Sequence, residues 1–348
     1  MKHLKSIFVL VLVFVMLLSG CGNNTQNNST ATDKQDNTKT KPEYVIRYSN
    51  VLSEADPTTK SMQWLKTWLE EKSNGRVSME IYSGGQLYND STEIDAICSG
   101  NIDMISTYIS KLTAVDSEMQ YSIVPYLFNS PEEMVACYSD PTVQAALFKK
   151  LNDIGISVLG AFYAGDCYIF STETPIHSVK DFKGMKVREN GGNMISDMYG
   201  SVGASVVTIS YAELYSSMQT KLANACTCTN TGCTGIALQE VVDYCADMGY
   251  QYCCYLVQIN TKTFESYPED VRALIKEGIS LASDKCLEYH NALRADCAKT
   301  IEAGGCKIYT FTDEDKAEAK EIWGPIAERY ISDTWKDTIS AFQKNYKK

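Results

Sequence analysis

Hydrophobic positions along the chain recur in two rhythms. Tyr44 to Ser49 and Val77 to Tyr82 cluster or alternate β-formers, while Met62, Leu65, Trp68 and Leu69 between them follow the spacing of an amphipathic helix. A second helix with Ile94 and Ile97 leads through Gly100 into the extended run Ile102-Asp-Met-Ile105. A helix over residues 145–151 precedes two more strand-like runs, Ile156-Ser-Val-Leu159 and Tyr168-Ile-Phe170. Residues 206–209 form a β-branched strand, followed by Ser210 as N-cap and Glu213 three positions on. That is the capping-box pattern, and Leu214, Met218 and Leu222 line one face of its helix. Beyond Pro268 the chain reads as helix almost throughout, with proline at N1, acids in the first turn, and one glycine and no proline over residues 271–293. Alternating strands and helices predict α/β layers.

The first residues follow a different pattern. Met1-Lys-His-Leu-Lys5 is basic, residues 7–18 are apolar without interruption, and Leu18-Ser-Gly-Cys21 places small residues before a cysteine. A bilayer span needs about 20 apolar residues, so this shorter run reads as a signal peptide over 1–20. Leu-Ser-Gly-Cys resembles the bacterial lipoprotein signal, which makes Cys21 the lipidated first residue of the mature chain; ordinary cleavage near Gly20 or Gly22 is the alternative. The segment after it to residue 42 has no aromatic or branched aliphatic residue and is expected to be a flexible tether. The expected location is extracytoplasmic, on the outer face of the bacterial cytoplasmic membrane.

Charge narrows the partners. The net charge of -11 becomes -13 once Lys2 and Lys5 leave with the signal. Such a surface repels nucleic acid and anionic lipid, and an anionic ligand would need a local basic pocket. Arg188 supplies the candidate. It ends Asp181-Phe-Lys-Gly-Met-Lys-Val-Arg188, where a turn at Gly184 feeds a short strand. Ligands of open α/β sheets bind at carboxyl ends of strands, and a guanidinium there offers a planar fork matched to a carboxylate.

The string Phe170-Ser-x-x-x-Pro-Ile, then Asp181 to Arg188, then Ser210-Tyr-Ala-Glu-Leu-Tyr-Ser-Ser-Met-Gln219 resembles the centre of the extracytoplasmic solute-binding proteins of TRAP transporters, the DctP-like family. Arg47-Tyr-Ser-Asn50, Gly84-Gly-Gln-Leu87, Ile97-Cys-Ser-Gly-Asn-Ile-Asp-Met104, Pro125-Tyr-Leu-Phe128 and Tyr267-Pro-Glu-Asp-Val271 extend the likeness along nearly all of the mature chain. The resemblance implies a two-domain periplasmic-binding-protein-like fold with a hinged cleft and a long C-terminal bracing helix. The expected domains are residues 43–164 with 254–293, and residues 165–253 with 294–348. It also implies a monomer that closes on a small carboxylate and delivers it to a TRAP membrane permease, without catalysis or cofactor.

Carried over position by position, the resemblance makes Arg188 the carboxylate anchor and Asn50, after the first strand, a cleft residue. Thr107 and Tyr108 follow from the segment 100–108, and Tyr211 from the capped helix. Two positions depart from the family pattern. A Gly-x-Arg segment has become Gly165-Asp-Cys167, and an Asp-Gly-x-Glu-Asn run has become Asn224-Ala-Cys-Thr-Cys228, so Cys167 and Cys228 stand where donors are expected. With one fork left, a monocarboxylate such as a sugar or aromatic acid is favoured over a dicarboxylate, with Tyr163, Tyr168, Tyr211, Tyr215 and Tyr250 available as aromatic wall.

Twelve cysteines follow Cys21. Three readings stand: small buried hydrophobes, partial disulfides, or a metal or redox site, which would make the chain a thiol-based lipoprotein on the same scaffold. No Cys-x-x-Cys metal knuckle is present, so no metal ligands are assigned. Nucleophilic catalysis needs a base beside the thiol, and only His177 and His290 remain after the signal, neither in a nucleophile motif.

Overall fold

The computed structural model describes residues 41–346. The calls on the signal, on Cys21 and on most of the tether lie outside the described residues. Ten strands form β1 (Tyr44–Ser49), β2 (Val77–Tyr82), β3 (Met104–Tyr108), β4 (Ile156–Ser171), β5 (Lys186–Glu189), β6 (Ser205–Thr208), β7 (Ala225–Thr229), β8 (Tyr244–Asp247), β9 (Tyr252–Asn260) and β10 (Lys307–Thr310). The hydrogen-bonded order is β2-β1-β3-β9-β4-β7-β5-β6, with β8 joining β4 to β10.

Two runs expected as separate strands, around Ile156 and Tyr168, are one strand of 16 residues. Its first part, to Asp166, pairs antiparallel with β9, and Cys167 to Ser171 pair with β7. Nothing between the two runs is a turn, and the intervening glycines are absorbed as register shifts at Val158/Gly160 and Tyr163/Gly165. Gly165 is required at its position: its φ is +108°, and a Cβ there would lie 2.6 Å from Asn230 Oδ1.

Helices cover both parts of this sheet system. Met62, Leu65 and Leu69 of the helix Pro57–Lys72 pack on Ile46, Tyr48, Val257 and Ile259. On the other part, Phe182, Met198 and Trp323 close over Val187, Ile169 and Ala225. The helix Glu269–Ala303 touches both. Its Val271, Ile275 and Ile279 join the first cluster, and Ile301 packs with Leu238, Cys306 and Phe170. Pro268 is its N-cap rather than its first residue, with Glu269 and Asp270 answering the dipole. The single glycine, Gly278, marks a close helix crossing, since a Cβ would meet Leu65 at 2.6 Å and Trp68 at 2.9 Å. The last helix, Asp333–Asn345, packs its Trp335 and Ile339 among Ile105, Tyr138 and Leu256, in the core beside β3 and β9 rather than with the rest of 294–348.

The helix after β6 differs from expectation. Ser210 Oγ donates to Glu213 Oε2 at 2.7 Å instead of accepting from its N–H, so no capping box forms there. The helix Leu214–Gln219 then ends before Leu222, which is half exposed while Leu214 and Met218 are buried. A capping box does form on Ser178 and Asp181, one turn before β5.

Gly165→Ala is expected to lose about 2 kcal/mol or more of stability, from left-handed strain together with overpacking. Urea denaturation measures it, and an unchanged midpoint would mean that the strand relaxes there freely.

Candidate functional site

The carboxyl ends of β1, β3, β5 and β7 converge on one cavity of about 50 Å³. Val51 follows β1, Tyr108 ends β3, Arg188 and Asn190 end β5, and Thr227, Cys228 and Thr229 belong to β7. Asp90, Glu93 and Lys111 come from segments beside β2 and β3, Tyr211 follows β6, and Cys167, Cys253 and Tyr255 come from β4 and β9. A larger groove of about 810 Å³ lies between the helices Pro141–Leu147 and Asp333–Asn345. Its charged groups are Asp140 and Asp337, so it would repel an acid.

Arg188 is 1% exposed. The capping box at Ser178 and the turn at Gly184 deliver β5 between β6 and β7, opposite Val207 and Cys226. Its Nε donates to the Ile209 carbonyl at 2.8 Å, one Nη to the Thr227 carbonyl at 3.4 Å and the other to Asn190 Oδ1 at 2.9 Å. That uses three of the five N–H donors of a guanidinium, leaving one on each terminal nitrogen. Among the described residues no carboxylate stands within ion-pair distance of it, whereas Arg47, Arg76, Arg294 and Arg329 are all paired. The neighbouring Glu189 turns its Oε2 to Thr227 Oγ1 at 2.7 Å, and burial raises its pKa.

Three charged groups of the cavity were missed in the sequence. Lys111 Nζ lies 3.2 Å from Asp90 Oδ2, and the same oxygen accepts from the Tyr211 N–H at 3.3 Å, joining the loop after β2 to the segment after β6. Glu93 is 1% exposed, and burial pushes its pKa up to about 8. The strand-end rule would have found Lys111, which lies three residues beyond Tyr108.

The expected residues divide. Arg188, Tyr108, Cys167, Cys228 and Tyr211 line the cavity; Asn50 and Thr107 do not. Asn50 is spent on the fold, donating to Tyr48 Oη at 3.0 Å and Thr59 Oγ1 at 2.9 Å and accepting from the Leu52 N–H at 3.0 Å. Thr107 is buried on β3 with no partner for its hydroxyl among the described residues. The rings on the cavity are Tyr108, Tyr211 and Tyr255. Tyr163, Tyr168, Tyr215 and Tyr250 stand back from it; Tyr163 donates to Asp166 Oδ1 at 2.6 Å and Tyr250 meets Cys167 Sγ at 3.2 Å. Only Tyr163 and Tyr168 of these lie on β4, and ring counting could not foresee which rings would turn to other contacts.

All twelve cysteines are free thiols, and eleven are buried. Cys226, Cys228, Cys233, Cys245 and Cys306 pack in one apolar cluster, and burial pushes the Cys228 thiol up to about 12. Among the described residues no group of three His, Cys, Asp or Glu side chains is placed to hold a metal ion. His290 is buried against the Tyr163 ring at 5.0 Å, its pKa driven down to about 3, and His177 packs on Tyr309 at 4.4 Å. Neither reaches the cavity.

Comparison with known proteins gives one consistent result. The model of the family described as bacterial extracellular solute-binding protein, family 7, matches residues 48–333. The C4-dicarboxylate-binding periplasmic protein DctP of Rhodobacter capsulatus is 24% identical over 303 residues, 85% of this chain and 89% of that protein. A TRAP periplasmic solute-binding protein of Sulfurospirillum deleyianum, solved with bound succinate, aligns with a TM-score of 0.79 at 23% identity, covering 87% of this chain and 99% of that one. Another from Anaerococcus prevotii, with bound α/β-D-glucuronate, gives 0.81 at 18% identity over 86% and 97%.

Glu93 generates a pH signature. An unfolded glutamate titrates near about 4.3, so up to about 8 the folded chain keeps a proton that the unfolded chain has released. Stability therefore falls as pH rises across that window. Asp56, raised to about 6, and Glu189 act in the same direction, so the share of Glu93 is read against Glu93→Gln. The gap between the two stability profiles is expected to change by on the order of a few kcal/mol between pH 5 and 9; parallel profiles would refute a neutral buried Glu93.

Proposed function

This chain belongs to family 7 of the bacterial extracellular solute-binding proteins, and from that premise we propose that it captures a small organic monocarboxylate on Arg188 and delivers it to a TRAP membrane permease. The observation that carries this reading is the buried guanidinium with two unspent donors and no carboxylate partner among the described residues. Burying an unpaired charge costs several kcal/mol, which a ligand carboxylate on the free fork would offset. The relatives support the ligand class, since one carries C4-dicarboxylate in its name and two hold succinate and glucuronate. Cys167 and Cys228 on the cavity wall, with Lys111 already matched by Asp90, favour one carboxylate over two.

The proposed lobes are residues 43–164 with 254–293 and residues 165–253 with 294–348, the last helix returning to the first. Cavity residues come from both, so a ligand touching both would stabilise the shut form. The mature protein is proposed as a monomer held on the outer face of the membrane by lipid on Cys21. Cys21→Ala is expected to move the protein from the membrane fraction to the soluble fraction; unchanged partition would refute the anchor.

Thermal-shift titration with organic acids tests the binding reading, because a ligand specific to the folded state raises the melting temperature. Arg188 also ties Ile209 and Thr227, so Arg188→Ala is expected to lower the melting temperature without ligand. The informative comparison is therefore the ligand-induced shift, with Arg188→Lys alongside. Both variants are expected to weaken acid binding by about 30-fold or more. Undiminished affinity in either would remove Arg188 from the anchor role.

A further inference from the structure

We infer that Glu93 determines specificity in this cavity, selecting carboxylates that also bear hydroxyl groups over carboxylates that bear none. The inference rests on the reading of Arg188 as anchor and concerns the groups of the ligand other than its carboxylate.

Glu93 opens the helix Glu93–Cys98 and lines the same cavity as Arg188. It has no ion-pair partner among the described residues, because the ammonium nearest to it, Lys111, is engaged by Asp90. Glu93 Oε2 is buried without a hydrogen-bond partner, and so is Asp90 Oδ1. Thr107 Oγ1, on the adjacent strand, faces the Glu93 carboxyl. The cavity thus offers two complementary sets of groups. Arg188 holds unspent donors that call for an anion, while Asp90 Oδ1 is an acceptor and the protonated Glu93 carboxyl offers an O–H as well as an acceptor, so this part suits a group that both donates and accepts, as a hydroxyl does.

A buried acceptor left unmatched costs its full desolvation, so a ligand that fills the space without donating is disfavoured relative to one that donates. Sites built to hydrogen-bond a substrate hydroxyl reject analogues lacking it for this reason. A hydroxyl suits this part better than an ammonium. Lys111 already places one positive charge beside Asp90, and a second would be repelled at close range. The thiols of Cys167, Cys228 and Cys253, with the rings of Tyr108 and Tyr255, leave the middle of the cavity for a carbon skeleton.

The test compares acids of similar shape on the purified mature protein by calorimetry. D-glucuronate, D-galacturonate and D-gluconate carry hydroxyls; cyclohexanecarboxylate and benzoate do not; L-leucine carries an ammonium. At least one hydroxylated acid is expected to bind about tenfold or more tightly than cyclohexanecarboxylate. Glu93→Ala is expected to erase that ratio while leaving cyclohexanecarboxylate binding within a few-fold, and Glu93→Gln, which keeps the shape and an acceptor, to preserve most of it. Equal binding of hydroxylated and bare acids, equal weakening of both by Glu93→Ala, or preferred binding of L-leucine would each overturn the assignment of Glu93 and leave Arg188 standing. Binding of no carboxylate at all would overturn the anchor reading and this inference together.

Discussion

A positive charge sealed inside the protein without a negative one is the constraint around which this molecule is arranged. Arg188 lies between two parallel strands, and the Ile209 and Thr227 carbonyls with the Asn190 amide oxygen hold its plane in place. These contacts replace part of the lost hydration but none of the lost countercharge. The electrostatic deficit is carried by the folded state, and the proposed ligand carboxylate would offset it. Chemistry is not asked of the site. A family member whose cavity holds a fork among buried thiols and rings acts by binding.

The deficit is useful only because the cavity has walls from both parts of the sheet. β4 runs through both parts, pairing with β9 first and β7 afterwards, and the switch falls between Asp166 and Cys167, just past Gly165, where backbone conformation and close contact exclude a side chain. Arg294, from the long helix, clamps that point through Asp166 at 2.9 Å and Tyr163 at 3.1 Å. In the proposed binding cycle, closure concentrates at this crossing while the helix Glu269–Ala303 stays packed against both cores. The Tyr211 N–H on Asp90 is one bond that such a motion would make and break.

The cysteine content has a plain physical outcome. Most of the thiols stand in apolar clusters, where burial raises their pKa and keeps them neutral. They fill volume as small soft hydrophobes. The two that replace expected donors, Cys167 and Cys228, alter the cavity by withholding hydrogen bonds rather than by supplying reactivity.

The sequence by itself determined the layers, the family and the strand end that carries Arg188. Apolar period distinguishes strand from helix locally, and the segment from Ser178 to Arg188 carries its own capping box, turn and strand, so its delivery of a guanidinium is a short-range property. Where side-chain pairing and burial decide, the sequence was silent or misleading. Ser210 and Glu213 have capping-box spacing, yet their side chains bond to each other. Asn50 sits where a cleft residue is expected but is consumed by Tyr48 and Thr59. Glu93 and Asp90 read as ordinary acids near a helix start, and only the cavity they share with Arg188 gives them their proposed role. Burial and pairing depend on which residues meet across a hundred positions of chain, and no local pattern encodes that meeting.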